Sequence, residues 1–316
     1  MASPPSSLAP SHLVTPDFSL DNIPPRPALL MALQHEIQKD NPNTKRFADL
    51  VRRDVAMTGT LLQLANSAYF NPGRRIATVE DAIVLLGLNQ CNAIMSGLIL
   101  RKSLHFGNKM MARFWDGSEK RAIGVSMLAK RTRILSPEIA YTFGLFCDAG
   151  IPLLKGAFPS YLETLLHANL KASDEFLQVE NDRHGVNHTI VGALLAERWS
   201  LGPEIVLAIR MHHSHQVLFD KAYTPVVRTL IALNYVVEKA IQEYRGQAGS
   251  LEWVAAGLYA SKALRISHRE VENLCASLIQ RFRAYSTLPA DRVTQCMDTK
   301  RQDLRRKLTT RPTCPR

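Results

Sequence analysis

The side chains of this sequence best suited to chemistry are a few histidines, acids and a cysteine in its central part. Cys147-Asp148, His188 and the pair His212-His213 offer thiolate, carboxylate and imidazole groups, which are the groups that bind transition metals. A metal held by such groups lowers the pKa of a bound water and so promotes hydrolysis at neutral pH. Metal-assisted hydrolysis is therefore the chemistry that these residue types could support.

Each of these residues also has a plain structural explanation. Asp148, close to Gly150 at a predicted helix end, can hydrogen-bond to the backbone, and His188 can cap the start of a helix. The dipole of a helix favours histidines such as His212-His213 at its C-terminus, with or without a metal. Cys147 lies in an apolar helix, where a cysteine is most often an inert core thiol. Both explanations remain open at this point.

Motifs of other enzyme classes are missing from the sequence. It contains no GxSxG, no GxxxxGK[ST], no GxGxxG after a strand and no HExxH. His35-Glu36 comes closest to the last of these and lacks the second histidine. The 5 cysteines show no CxxC spacing, which argues against a disulfide framework and a zinc knuckle.

The elements that must position these residues are helices organised around the apolar stretch 61–100. Four residues at its start share one helical face: Leu61, Leu64, Ala65 and Ala68. Asn71-Pro72-Gly73 predicts the end of this helix, and Gly87 predicts a sharp turn between two further apolar helices. The second of these is too apolar to be a DNA recognition helix.

The rest of the chain also has the helical period and no convincing series of alternating strands. Ser136-Pro137-Glu138 predicts the start of a helix that ends near Pro152. Further helices are predicted over 226–244 and 251–264, and Ser267-His268-Arg269-Glu270 is a capping box that starts a last one. The sequence therefore predicts an all-α protein.

A family resemblance rests on residues 62–70 and on two short motifs that follow them. Leu62-Gln63-Leu64-Ala65-Asn66-Ser67-Ala68-Tyr69-Phe70, then Ala82-Ile83 and Leu86-Gly87, resemble the signature of the bacterial HDOD domain, a relative of the HD metal-dependent phosphohydrolases. Asn66, Ser67 and Gly87 are its signature positions here. The resemblance implies an HDOD or HD-like multi-helix bundle, followed by a C-terminal helical extension.

The same resemblance implies where a metal site would lie. An HD phosphohydrolase holds one or two divalent metals with a histidine, an adjacent His-Asp pair, further histidines and a final aspartate. The corresponding positions are Gly117, Cys147-Asp148, His188, His212 or His213, and Asn234. The first histidine, the paired histidine and the final aspartate are thus replaced. We interpret the site as degenerate, without catalytic residues or a cofactor; the alternative is a divalent metal bound by Asp148, His188 and His212.

The family implies a signalling or regulatory module, usually without demonstrated catalysis and often fused to sensor or cyclic-di-GMP domains. No GGDEF-like, EAL-like or receiver-like stretch is visible. The first hypothesis is therefore a stand-alone, non-catalytic adaptor that binds signalling proteins, including those of the cyclic-di-GMP network. The second is a metal-dependent phosphohydrolase acting on a nucleotide or cyclic dinucleotide. Bound metal would distinguish the two.

A third hypothesis comes from charge. The formal net charge is +11, and much of the excess lies in Lys300–Arg316, which could bind nucleic acid with strongly salt-dependent affinity. The composition, 46% hydrophobic and 21% charged, excludes wholesale disorder. There is no signal peptide and no apolar run of roughly 18 residues, so we expect a cytoplasmic protein without membrane contact.

These observations divide the chain into four segments. Residues 1–18 are expected to be disordered and 19–215 to form the HDOD domain. Residues 216–298 are expected to form a helical extension packed on that domain. Residues 299–316 are expected to be a disordered basic tail.

Overall fold

The structure is a computed structural model of the chain, and it describes residues 18–67, 69–71, 73, 75–104, 109–171, 173–247 and 251–286. These residues fold into α-helices joined by short connections and form no β-strand, which confirms the predicted all-α class. The expected disorder of residues 1–17 and of the tail 299–316, with its nucleic-acid hypothesis, lies outside the described residues. Phe18, at the end of the N-terminal segment, is buried and stacks on Phe158.

Fifteen described α-helices follow one another along the chain. The N-terminal helices are α1 (Ala28–Ile37), α2 (Thr44–Arg52), α3 (Val55–Ala65), α4 (Val79–Leu86) and α5 (Leu88–Ser103). The central helices are α6 (Lys109–Thr132), α7 (Pro137–Phe146), α8 (Gly150–Ala157), α9 (Tyr161–Ala168), α10 (Ser173–His184), α11 (His188–Arg198) and α12 (Pro203–Met211). The C-terminal helices are α13 (Pro225–Tyr244), α14 (Leu251–Leu264) and α15 (His268–Ser286).

Local sequence signals set several of these helix starts. The hydroxyl of Ser136 accepts the N–H of Ile139, and Pro137 occupies the first turn of α7 as predicted. Ser267 and Glu270 form the predicted capping box before α15, since the N–H of Ser267 donates to Glu270 and the N–H of Glu270 to Ser267. The predicted boundaries of α13 and α14 agree with the structure to within one residue.

Two predicted helix ends are wrong. Helix α3 ends at Ala65, where the following residue, Asn66, uses its side-chain amide to clamp Ile76: its Oδ1 accepts the Ile76 N–H and its Nδ2 donates to the Ile76 carbonyl, each at 2.7 Å. Helix α7 ends at Phe146. Pro152 lies instead in the first turn of α8, where a helix needs no N–H donor.

Gly87 makes the predicted sharp turn between α4 and α5. Its φ of +80° is a conformation that glycine adopts readily, and the two helices meet at an angle of 117°. Helix α5 is largely buried, as expected of a core helix rather than a DNA reader. In the described part of the chain no single helix is both long enough and apolar enough to cross a membrane. Helices α4 and α5 reach that length and apolar character only when taken together, as a bent pair.

One continuous hydrophobic core joins the N-terminal helices to the C-terminal ones. It extends from Phe18 to Phe282 and includes much of α13. Helix α6 packs against both α7 and α13, and α11 packs against both α8 and α12. Helices α14 and α15 both pack on α13. This packing brings the ends of α7, α11 and α12 to one place in the interior.

Candidate metal centre

Three of the predicted site residues meet where α7, α11 and α12 end or begin. Asp148 lies in the turn between α7 and α8, His188 is the first residue of α11, and His212 follows α12. Asp148 Oδ1 lies 3.4 Å from His212 Nε2 and 3.9 Å from His188 Nε2. The two Nε2 atoms are 3.4 Å apart. The structure therefore brings together the residues that the sequence suggested as the ligands of a divalent metal.

His213, predicted from the sequence as the alternative to His212, also reaches this centre. Its Nε2 lies 3.2 Å from His188 Nε2. The ligand atoms of His188, His212 and His213 all lie within 4.8 Å of one another, and so do those of Cys147, Asp148 and His212. The thiol of Cys147 is free and buried. The centre thus offers three imidazoles, a carboxylate and a thiol.

Each of the three imidazoles has its Nδ1 2.7 Å from an oxygen atom. The oxygen atoms are Oε2 of Glu180 for His188, the carbonyl oxygen of Ile209 for His212, and Oε1 of Glu252 for His213. Because a carboxylate oxygen and a carbonyl oxygen only accept, the hydrogen bonds of His188 and His212 place the proton on Nδ1, whereas His213 Nδ1 lies at ion-pair distance from Glu252 without hydrogen-bond alignment. The Nε2 atoms of the three rings face the centre, as in metal-binding histidines.

Asp148 is held by a buried guanidinium. Arg121 Nη1 lies 2.7 Å from Asp148 Oδ2, and Arg121 Nη2 lies 2.8 Å from Glu238 Oε2. Burial alone would raise the pKa of Asp148, but Arg121 and the nearby histidines outweigh it and hold this pKa well below its usual range. Asp148 is therefore ionised, with one oxygen bound by Arg121 and the other facing the histidines.

His212 is the histidine whose charge responds most strongly to this environment. Burial lowers its pKa, whereas the Cys147 sulfur and a hydrogen bond to Asp148 raise it, and the result is a pKa of about 9. A proton on His212 Nε2 and a metal ion at that atom are alternatives, because metal ligation requires the neutral imidazole.

Glu180 anchors the histidine at the start of α11. Its side chain is fully buried, accepts the hydroxyl of Tyr161 at one oxygen, and accepts both the backbone N–H and the Nδ1–H of His188 at the other. Burial raises the pKa of Glu180, but His188 and these hydrogen bonds lower it, so the pKa lies below its usual value. The ring of His188 therefore has a fixed orientation.

The positions expected for the first histidine and the final aspartate make no hydrogen bond or ion pair with the histidines among the described residues. A Cβ at Gly117 would lie 2.7 Å from Arg245 Nη2. Asn234 is buried in α13, and its Oδ1 lacks a hydrogen-bond partner in the described part of the chain. One helical turn further along each helix, Arg121 of α6 and Glu238 of α13 form the ion pairs that reach the site.

The residues present fit one divalent transition metal. In a tetrahedral site with metal–nitrogen distances of about 2.0–2.1 Å, ligand nitrogens lie about 3.3–3.4 Å apart. The two Nε2 separations of 3.2 and 3.4 Å match this value. The charges also fit, since four carboxylates surround the site, and Arg121 together with a divalent metal in place of the His212 proton would offset them. The carboxylates are Asp148, Glu180, Glu238 and Glu252.

Access to this centre is narrow. The side chains of His188 and His212 are 1% and 4% exposed, and that of Asp148 is 17% exposed. A cavity of about 320 Å³ lies elsewhere, where Leu86–Asn89 meets Ile37, Pro42 and Glu138. The three imidazoles are at most 10% exposed, which leaves little room for a nucleotide at their Nε2 atoms.

Sequence reasoning missed the residues that orient the site. They are Arg121, Tyr161, Glu180, Glu238 and Glu252. Each of these residues contacts a partner that is distant along the chain, so no short sequence motif contains both. The one available signal was chemical: a histidine ligand requires an oxygen acceptor for its second nitrogen, and acids in neighbouring helices were candidates.

Comparisons with known proteins agree with this architecture. The HDOD domain family matches residues 23–215. The solved structure of an HDOD domain protein with unknown function from Geobacter sulfurreducens has a TM-score of 0.67 and 23% identity, and covers 85% of this chain and 94% of that one. The solved structure of a proposed phosphohydrolase from Shewanella amazonensis SB2B has a TM-score of 0.66 and 19% identity. The match covers 85% of this chain and 96% of that one. At these identities the likeness shows the fold alone.

A sequence relative extends the comparison. An uncharacterized protein of Treponema pallidum (strain Nichols) is 24% identical over 220 residues, which are 69% of this chain and 42% of that protein. The chain thus spans less than half the length of this curated relative, so the activity of the whole relative does not carry over.

Proposed function

The chain belongs to the HDOD domain family, and on that premise we propose that it is a non-catalytic regulatory module of cytoplasmic signalling that acts through protein–protein contacts. The proposal rests on one observation: Arg121 Nη1 binds Asp148 Oδ2, with 2.7 Å between the two atoms. A hydrolytic metal site needs an open coordination position and a path for its substrate. An aspartate already paired with a buried arginine, beside buried imidazoles, provides neither.

The cluster has a structural use in such a module. A divalent metal would be held by His188, His212 and His213 with Asp148 Oδ1, and when bound it supplies positive charge among buried carboxylates. The residues of the chain do the rest: Glu180 orients His188, and Arg121 holds Asp148 away from solvent. The cluster then ties α7, α11 and α12 together.

Contacts with signalling partners are supported by exposed apolar side chains on two packed N-terminal helices. Val55 of α3 and Val84 of α4 are 85% and 87% exposed. Isolated surface valines are common, but these two lie on neighbouring helices that pack together. We propose these exposed side chains of α3 and α4 for partner binding, with proteins of the cyclic-di-GMP network as first candidates.

The second candidate function is metal-dependent hydrolysis of a nucleotide or cyclic dinucleotide. The convergence of three imidazoles on an ionised aspartate favours it, because this donor set suits the activation of water by a metal. The two candidates differ in whether Asp148 supports turnover.

The experiment compares the full chain, without a histidine tag, with its Asp148→Asn variant after loading with Zn²⁺, Mn²⁺ or Fe²⁺. Phosphate or nucleotide release is measured from p-nitrophenyl phosphate, nucleotides and cyclic dinucleotides. We expect equal background rates in both proteins, because the site lacks an open position. Asp40→Asn, an exposed aspartate between α1 and α2, serves as the matched control. Metal-dependent turnover that disappears only in Asp148→Asn would establish the hydrolase instead.

A further inference from the structure

Glu252 lies outside the family-matched segment and yet contacts the histidine cluster. The match covers residues 23–215, whereas Glu252 lies in the first turn of α14. Its Oε1 is 2.7 Å from Nδ1 of His213. A residue of the C-terminal extension therefore takes the place that Glu180 takes for His188 within the matched segment.

The contact determines which nitrogen of His213 faces the centre. The carboxylate lies at ion-pair distance, although it is not aligned as an ideal hydrogen-bond acceptor. At 2.7 Å the negative carboxylate favours a proton on Nδ1, the nearer ring nitrogen, and leaves Nε2 on the side of the centre, 3.2 Å from His188 Nε2. The ring is held on another side by stacking on Phe176, with an interplanar angle of 16°.

Helix α14 fixes the position of this carboxylate. Ala256 and Ala260, one and two turns after Glu252, are buried in the common core. Trp253 lies under the ammonium of Lys239 on α13, with 5.9 Å between the nitrogen and the ring centroid. The helix also packs against the short 3-10 helix His215–Leu218, which begins two residues after His213. Glu252 is thus held by the extension beside His213.

We infer that Glu252 is a positioning residue, which fixes the Nδ1–H tautomer and ring orientation of His213 and so completes a three-imidazole binding site for a divalent metal. The C-terminal extension is then part of the site rather than an appendage of the family domain. The inference concerns the same histidine cluster as the proposed function. It holds whether or not the protein catalyses a reaction at that cluster.

Metal affinity is the first readout. Zn²⁺ is titrated calorimetrically into the full-length, tag-free, metal-free chain and into Glu252→Ala and Glu252→Gln. Loss of an acceptor that orients a ligating histidine typically weakens metal binding by about 10- to 100-fold, which we expect for alanine. Glutamine keeps an acceptor oxygen and should recover most of the affinity. Glu163→Gln, which removes an exposed first-turn carboxylate from α9, should bind like the unmodified chain.

The tautomer of His213 is the second readout, and it needs no metal. In ¹⁵N-labelled, metal-free protein, the ring nitrogens of His213 should show the proton on Nδ1, and Glu252→Ala should lose this preference while Glu163→Gln keeps it. Unchanged Zn²⁺ affinity in Glu252→Ala would overturn the inference. Absence of Zn²⁺ binding by the unmodified chain would also overturn it, as would an unchanged His213 tautomer in Glu252→Ala. Turnover by the loaded chain would refute the proposed function alone.

Discussion

Replacing Arg121 by methionine should lower the free energy of unfolding by about 3–5 kcal/mol. Arg121 is 11% exposed and is the cation between the carboxylates of Asp148 and Glu238. Methionine fills much of the same volume but lacks the guanidinium that pairs with both carboxylates. Removing one member of a buried ion pair leaves the charge of the other uncompensated. Urea unfolding followed by tryptophan fluorescence measures the change.

The control for this variant is an ion pair of the same type at the surface. Arg101 pairs with Glu119 at 3.2 Å, but its side chain is 39% exposed. Arg101→Met should therefore cost no more than about 1 kcal/mol. Equal losses in Arg101→Met and Arg121→Met would contradict the claim that Arg121 neutralises a buried site.

Replacing Gly150 by alanine should cost about 3 kcal/mol or more and should displace His188. A Cβ at Gly150 would lie 2.0 Å from the carbonyl oxygen of His188 and 2.9 Å from the backbone nitrogen of Gly192. These are backbone atoms, so no rotamer change can relieve the clash, and α8 must move away from α11. The same unfolding measurement gives the energy, and the imidazole NMR signals of His188 report the displacement.

Gly59→Ala is the matched control for the glycine variant. Gly59 lies within α3, where an added Cβ would meet nothing within 4 Å. Alanine there should stabilise the protein by about 0.5–1 kcal/mol, because it restricts the unfolded chain and suits a helix. If Gly150→Ala were as stable as Gly59→Ala, the close approach of α8 and α11 would not exist in solution.

The parts of the fold that were predictable are those encoded by neighbouring residues. A cap and a first-turn proline identify the start at Ser136-Pro137, and a glycine between apolar helices identifies the turn at Gly87. The helix end at Ala65 was missed because the clamp of Asn66 on Ile76, which follows it, joins residues ten positions apart. Pro152 was misassigned because proline is equally compatible with a helix end and with a first turn.

The candidate site was predictable only in part. Asp148, His188 and His212 could be named because the family pattern gives their order, and the structure brings them together. Arg121 and Glu252 could not be named, since their contacts depend on the packing of α6 against α7 and on the position of α14. In the sequence alone, these two charged residues cannot be distinguished from the charged residues of a solvent-exposed helix face.

The most direct test of a closed, non-catalytic site is whether a phosphate group can reach it. The full chain, with ¹⁵N-labelled histidines, is titrated with inorganic phosphate and then with a cyclic dinucleotide, and the ring signals of His188, His212 and His213 are followed. With the imidazoles buried and Asp148 paired with Arg121, these signals should not change, in either the metal-free or the metal-loaded protein. A saturable shift of these three histidines that is lost in Asp148→Asn would contradict closure and would identify an open, substrate-binding site.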